Sequence, residues 1–157
     1  LSTLFPEIRI KPYLEVRGCD SVPHRYVCAL PALWKGLLYD DQAGAEAWAL
    51  VQDLDFGERM TLWYECRKEA LRSPRVRSMC QRLLEIARAG LERMDVRDAR
   101  GRTEAYFLDP LDALVAAGTS PADVARAQVG PHPGRSPEGR RAFVRAFHFA
   151  GVGLEEG

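Results

Sequence analysis

Glu15 and Arg17 stand two residues apart in the stretch Tyr13-Leu14-Glu15-Val16-Arg17-Gly18. In an extended chain, successive side chains alternate between faces. Tyr13, Glu15 and Arg17 therefore share one face, and Leu14 and Val16 the other. A carboxylate offers hard oxygen to a divalent cation. A guanidinium offers phosphate oxygens a planar fork of donors. Set just before the turn that Gly18 permits, the two make either a polyanion site or one end of a cross-strand ion pair on a solvated sheet face. Spacing alone leaves both readings open.

The remaining reactive residue types are scattered. Cys19, Cys28, Cys66 and Cys80 form no C-x-x-C pair, and His24, His132 and His148 lie far apart. The short ligand spacing of a zinc site is therefore absent. The thiols read as reduced and mostly buried, which sets the expectation of a cytoplasmic protein. Cys19 reads as a small turn residue, His24 as an exposed first-turn residue, and Trp34 and Trp63 as core. Lys plus Arg and Asp plus Glu number 22 each. That balance argues against a nucleic-acid partner, because proteins that track phosphate backbones are basic, and it suggests no anionic membrane surface. No apolar run approaches the roughly 20 residues of a membrane-spanning helix. Leu1 in place of Met, followed at once by a strand-like segment, reads as a cut inside a longer protein.

At 157 residues the chain has the size of one domain and needs no metal or disulfide staple. Its elements read as α-rich α+β, with one or two strands at the start and about six helices. The strand covers residues 8–18, beginning or bulging at Pro12, which has no N–H to donate. Ser21 reads as an N-cap and Pro23 as the first turn of a helix reaching Tyr39, kinked at Pro31. That helix has a broad apolar face, Tyr26, Val27, Leu30, Leu33, Trp34, Leu37 and Leu38. It also has a small-residue stripe, Cys28, Ala32 and Gly36, that admits a second backbone. Ala43 to about Gln52 is a short helix carrying Trp48. Phe56 to about Leu71 is expected to bury Phe56, Met60, Trp63 and Tyr64 and to pair Glu69 with Arg72. Ser73-Pro74 caps a long helix to Met94 that buries Val76, Met79, Cys80, Leu83, Leu84, Ala87 and Leu91. A solvated loop follows over residues 95–102. Asp109-Pro110 and Ser120-Pro121 open two more helices, closing at Gly118 and near Gln128. Residues 130–157 form a Pro/Gly/Arg-rich tail, partly disordered, with one or two helical turns over 141–150.

The string from Leu1 to Asp40 closely resembles the glutamate–cysteine ligases of the plant and bacterial type. In that family a strand YLE-x-RG-x-D runs into CALPA-x-W-x-GLLYD. Here these are Tyr13 to Gly18 with Asp20, then Cys28 to Asp40. Leu108-Asp109-Pro110-Leu111 and Gly118-Thr119-Ser120-Pro121-Ala122-Asp123 resemble the family's late helical motifs. The resemblance covers residues 1–128, so residues 1–129 read as the C-terminal part of a ligase catalytic domain.

The resemblance implies the C-terminal part of a glutamine-synthetase-like fold, in which an antiparallel sheet binds ATP, magnesium and glutamate. It implies Glu15 as a magnesium ligand and Arg17 as the catalytic contact to the transferring phosphate. Tyr13, on the same face, would line the substrate and nucleotide site. The implied reaction is ATP-driven amide formation between the glutamate γ-carboxylate and the cysteine amine through a γ-glutamyl phosphate, with Mg2+ as cofactor. The family's nucleotide-binding strands lie upstream, so this chain would need that missing N-terminal part and be inactive alone. One departure is local. Where the family often has G-A-D-G-G-P, this chain has Gly18-Cys19-Asp20-Ser21-Val22-Pro23. That keeps two other readings open: a related carboxylate–amine ligase with another amine acceptor, and a non-catalytic helical binding module.

Overall fold

The computed structural model describes residues 8–18, 22–130 and 132–147. The architecture is α-rich α+β: a two-stranded antiparallel sheet followed by helices. Strand β1 (Ile8–Ile10) pairs with β2 (Leu14–Val16) in the register Ile8 with Val16, Arg9 with Glu15 and Ile10 with Leu14. The alternating 8–18 segment is thus a hairpin. Pro12 lies at its turn, where a missing N–H breaks no ladder bond, and the Lys11 N–H donates to the Tyr13 carbonyl at 2.8 Å.

The expected kinked helix over residues 23–39 is two helices, α1 (His24–Val27) and α2 (Ala29–Leu38), broken at Cys28. Pro31 lies in the first turn of α2, where N–H groups have no intrahelical acceptor, so it starts the helix instead of kinking it. The N-cap of α1 is Pro23, while the expected Ser21 cap and Cys19 lie outside the described residues.

The core is a crossing of α2 with α5 (Pro74–Met94). A Cβ on Gly36 would overlap the Ala87 carbonyl, and one on Gly90 the Gly36 carbonyl. Of the expected small stripe, Gly36 makes the tight contact and Ala32 is buried with it, while Cys28 is exposed and Ala29 is buried in its place, with Leu37 beside Gly36. The broad apolar face expected across α1 and α2 is only partly used: Tyr26 and Leu37 are buried, but Val27 and Leu38 are exposed. Helix α5 buries Val76, Leu84, Ile86, Ala87, Gly90 and Leu91. Ser73 caps it with Pro74 at its first position, as its sequence requires.

Helix α3 (Asp41–Ala49) is capped by Asp40. Helix α4 (Phe56–Lys68) has a capping box between Asp55 and Glu58 and no fully buried residue. This corrects the aromatic core expected there. Phe56 is 79% exposed at the first helical position, and Trp63 and Tyr64 are exposed too. Trp63 and Tyr64 instead find local partners. Trp63 meets Tyr64 edge-on at 5.3 Å, and the Arg67 guanidinium lies 4.4 Å from the Trp63 ring centre. Ala70, at φ 49°, ends the helix in a 3-10 turn. Arg72 there bonds Asp123 at 2.6 Å instead of pairing with Glu69.

The loop after α5 is closed by a bridge between Arg97 and Thr103, and Asp98 accepts from the backbone and side chain of Arg102. A 3-10 turn (Glu104–Leu108) plants Leu108, which is fully buried. Helix α6 (Asp109–Ala117) starts one residue earlier than a cap at Asp109 would place it, with Leu108 at its N-cap and no side-chain cap, and stops at the left-handed Gly118. Helix α7 (Pro121–Val129) starts at its Ser120 cap. Helix α8 (Pro137–Phe147) begins earlier than the expected turns over 141–150. The thiol expectation is corrected as well: Cys28 and Cys66 are exposed and Cys80 is half-buried. His24 is exposed, as expected.

Candidate functional site

The hairpin brings the candidate residues together because antiparallel partners directly opposite one another share a face. Arg9 opposes Glu15, so one face carries Arg9 and Glu15, and alternation adds Lys11, Tyr13 and Arg17. The other face carries Ile8, Ile10, Leu14 and Val16. Of these, Ile8, Ile10 and Leu14 are exposed, Ile10 by 82%.

Glu15 is held by a neighbour that sequence spacing did not reach. Its Oε2 accepts from Arg9 Nε at 2.6 Å, and Arg9 Nη2 lies 2.5 Å from the same oxygen in the ion pair. The hydrogen bond from Arg9, with the nearby charges of Arg9, Lys11 and Arg17, holds the Glu15 carboxyl below its ordinary range against the opposing effect of desolvation. Glu15 is therefore ionised at neutral pH. Tyr13 is exposed at the hairpin turn, with the Lys11 ammonium 5.7 Å from its ring centre. Arg17 is half-buried just beyond β2. Both readings left open by spacing thus have a physical counterpart: Glu15 does form a cross-strand ion pair, and it does so within a cluster of cations suited to a polyanion. The signal for Arg9 was in the sequence, as a cation at alternating position in the preceding segment. Only the turn at residues 11–13 made it a partner.

Among the described residues no three His, Cys, Asp or Glu side chains converge as a metal cage. A lone ionised carboxylate still fits one use of magnesium. That ion keeps most of its waters and is held by one or two carboxylates together with substrate phosphates.

The back layer is wired by ion pairs to elements that follow the hairpin. Asp40 accepts from the Ala43 N–H at 2.8 Å and from Arg93 Nη2 at 2.6 Å, and these two contacts hold its carboxyl below the ordinary range. Lys35 pairs with Glu104, and Arg88 with both Asp109 and Asp112. Lys35 and Asp40 of the Cys28–Asp40 motif are therefore structural: they tie α2 and the start of α3 to the turn at Glu104 and to α5.

Comparison with known proteins decides the family. The model of glutamate–cysteine ligase family 2 matches residues 1–144. The chain belongs to this family. The match reaches into α8, past residue 128 where the motif resemblance ended. The chloroplastic glutamate–cysteine ligase A of Oryza sativa subsp. indica is 39% identical over 127 residues, covering 78% of this chain and 25% of that protein. The chloroplastic enzyme of Arabidopsis thaliana is 40% identical over 127 residues, 78% of this chain and 23% of its own length. That of Medicago truncatula is 37% identical over the same length, with 24% of it covered. The chain thus spans about a quarter of the curated relatives it matches. No solved structure matches it. The relatives' names also correct the expectation of a cytoplasmic protein: all of these glutamate–cysteine ligases are chloroplastic.

Proposed function

We propose that this chain is the part of an ATP-dependent glutamate–cysteine ligase that supplies one active-site strand and the helical layer behind it. The observation that carries the reading is the single charged face of the hairpin, with Glu15, Arg17 and Tyr13 on it, inside a stretch that the family model matches. The two substrates to be joined are glutamate and cysteine. In the first step the γ-carboxylate oxygen of glutamate attacks the γ-phosphorus of ATP, the bond to the bridging oxygen breaks, and ADP leaves. In the second, the cysteine amine attacks the acyl carbon, inorganic phosphate departs, and a proton is lost from nitrogen.

Both steps bring negative charge onto negative charge, so the chain's own groups act by position and charge. Arg17 directs its planar donors at the transferring phosphoryl group, which an ammonium cannot do in the same bidentate way. Glu15 offers an ionised oxygen toward the metal face of the nucleotide. Tyr13, at the exposed end, lines the entrance. Bound magnesium would supply charge neutralisation at the phosphate oxygens. The exposed apolar face of Ile8, Ile10 and Leu14 would be covered by sheet from the rest of the polypeptide, which is why the chain alone is inactive in this reading.

The test is made on the complete encoded polypeptide. Magnesium-dependent ADP release should require glutamate, and cysteine should be used in preference to other amino acids. Hydroxylamine in place of cysteine should trap the acyl phosphate as glutamyl hydroxamate. ADP release without hydroxamate overturns the acyl-phosphate route, and preference for another amine overturns the acceptor.

A further inference from the structure

The hairpin assigns a role to Arg9, a residue outside the E-x-R pattern. Two nitrogens of its guanidinium converge on the same Glu15 oxygen, Oε2, at 2.6 and 2.5 Å. Both side chains are partly exposed, Arg9 by 43% and Glu15 by 32%. A carboxylate held this way cannot turn Oε2 toward a divalent cation until the guanidinium moves off. The backbone register keeps Arg9 directly opposite Glu15. Its long, flexible side chain can therefore leave that oxygen and still stand over the same face. There it joins Lys11 and Arg17, the other cations whose charges reach Glu15 among the described residues. Guanidinium and ammonium groups grouped in this way suit the phosphates of a nucleoside triphosphate, which keeps negative charge after binding its divalent ion.

We propose that Arg9 is a positioning residue. It occupies Glu15 as an internal counter-cation while no divalent ion is bound, and turns its donors to the nucleotide phosphates when one arrives. This rests on the reading of Glu15 as a metal ligand. Arg9 then both competes with the metal and serves the nucleotide, two effects of opposite sign that a purely structural ion pair would not produce.

The experiment follows Mn2+, a paramagnetic stand-in for magnesium, by electron paramagnetic resonance in the complete encoded polypeptide, with and without a non-hydrolysable ATP analogue. Arg9→Met removes the donors and keeps the apolar stem, and Arg9→Lys keeps the charge. Without nucleotide, Arg9→Met should bind Mn2+ about two- to fivefold more tightly, the size expected for losing an exposed ion-pair competitor. It should bind the ATP analogue more weakly, and Arg9→Lys should fall between it and the parent in both measurements. Unchanged or weaker Mn2+ binding in Arg9→Met overturns the proposal, as does unchanged analogue binding. Glu15→Gln separates the two levels. If it abolishes the Mn2+ signal while Arg9→Met leaves that signal unchanged, the Arg9 proposal alone fails. If Mn2+ binding is absent from the parent or survives Glu15→Gln intact, the metal-ligand reading fails and the Arg9 proposal with it.

Discussion

The hairpin and the α2–α5 crossing are built on opposite terms. In the crossing, Gly36 and Gly90 let two backbones touch, and Leu84, Ile86, Ala87, Leu91 and Leu108 close the core around them. In the hairpin, three apolar side chains stay exposed, and the Arg9–Glu15 ion pair on the charged face joins partly exposed groups. An exposed pair of this kind contributes little to stability. The region with residues suited to chemistry is therefore the one that this chain supports least, and the region with the most support carries no candidate for chemistry. Substitutions should separate along that line: those in the hairpin should change activity without changing unfolding, and those in the crossing should do the reverse.

The largest effect is expected at Glu15. In the complete polypeptide, Glu15→Gln should lower magnesium-dependent ADP release by about 10²–10³-fold, the usual cost of losing one preorganised charge-stabilising group. Circular dichroism and the urea midpoint should not move. A normal rate would return Glu15 to the role of ion-pair partner, and a lost fold would erase the contrast between the regions.

Next come two core variants read by urea unfolding. Leu108→Ala should cost about 2–5 kcal/mol, because Leu108 is fully buried and its removal leaves a cavity. Gly90→Ala should cost about 1–3 kcal/mol by overpacking, since the new methyl meets the Gly36 carbonyl on the facing helix. A neutral Gly90→Ala would mean that the two backbones do not approach as closely as described. Ser73→Ala should cost less, about 0.5–2 kcal/mol. The Ser73 hydroxyl caps α5 by accepting from the Val76 N–H at 3.3 Å and also donates to Glu65 at 2.9 Å.

The smallest effect is a pH dependence of the helical layer. Hydrogen bonds from Arg93 and the Ala43 N–H lower the Asp40 carboxyl below its ordinary range. For Asp98 the Arg102 backbone does so, and for Asp123 the Ser120 hydroxyl. A folded-state value below the unfolded one means that the unfolded chain takes up protons first as acid is added. Their contribution is thus complete above the ordinary aspartate range, near pH 4, and is lost as pH falls through the lower folded values. The urea midpoint should decline between pH 5 and pH 3, and Asp40→Asn should flatten part of that decline. A midpoint flat across this window would remove these three carboxylates from the account of stability.

Much of the helical layer was legible because its signals are local. Ser73-Pro74 and Ser120-Pro121 fix helix starts through caps, and Pro110 and Gly118 bound α6 through backbone angles that proline and glycine favour. The small stripe on α2 announced a close neighbour in the same way. The exposed aromatics of α4 were misread because apolar spacing shows which residues share a face but does not show whether anything covers that face. Pro31 was misread because its effect depends on whether it falls within the first turn, and the break at Cys28 decided that.

For the candidate site, the sequence by itself determined that Tyr13, Glu15 and Arg17 share a strand face, because side-chain alternation is a property of any extended backbone. It also carried the family resemblance, because the motif residues are adjacent in the chain. Only the tertiary structure decided that Arg9 is the partner of Glu15. That pairing depends on where the chain turns, and the turn fixes the register that sets Arg9 opposite Glu15 and a guanidinium on its carboxylate.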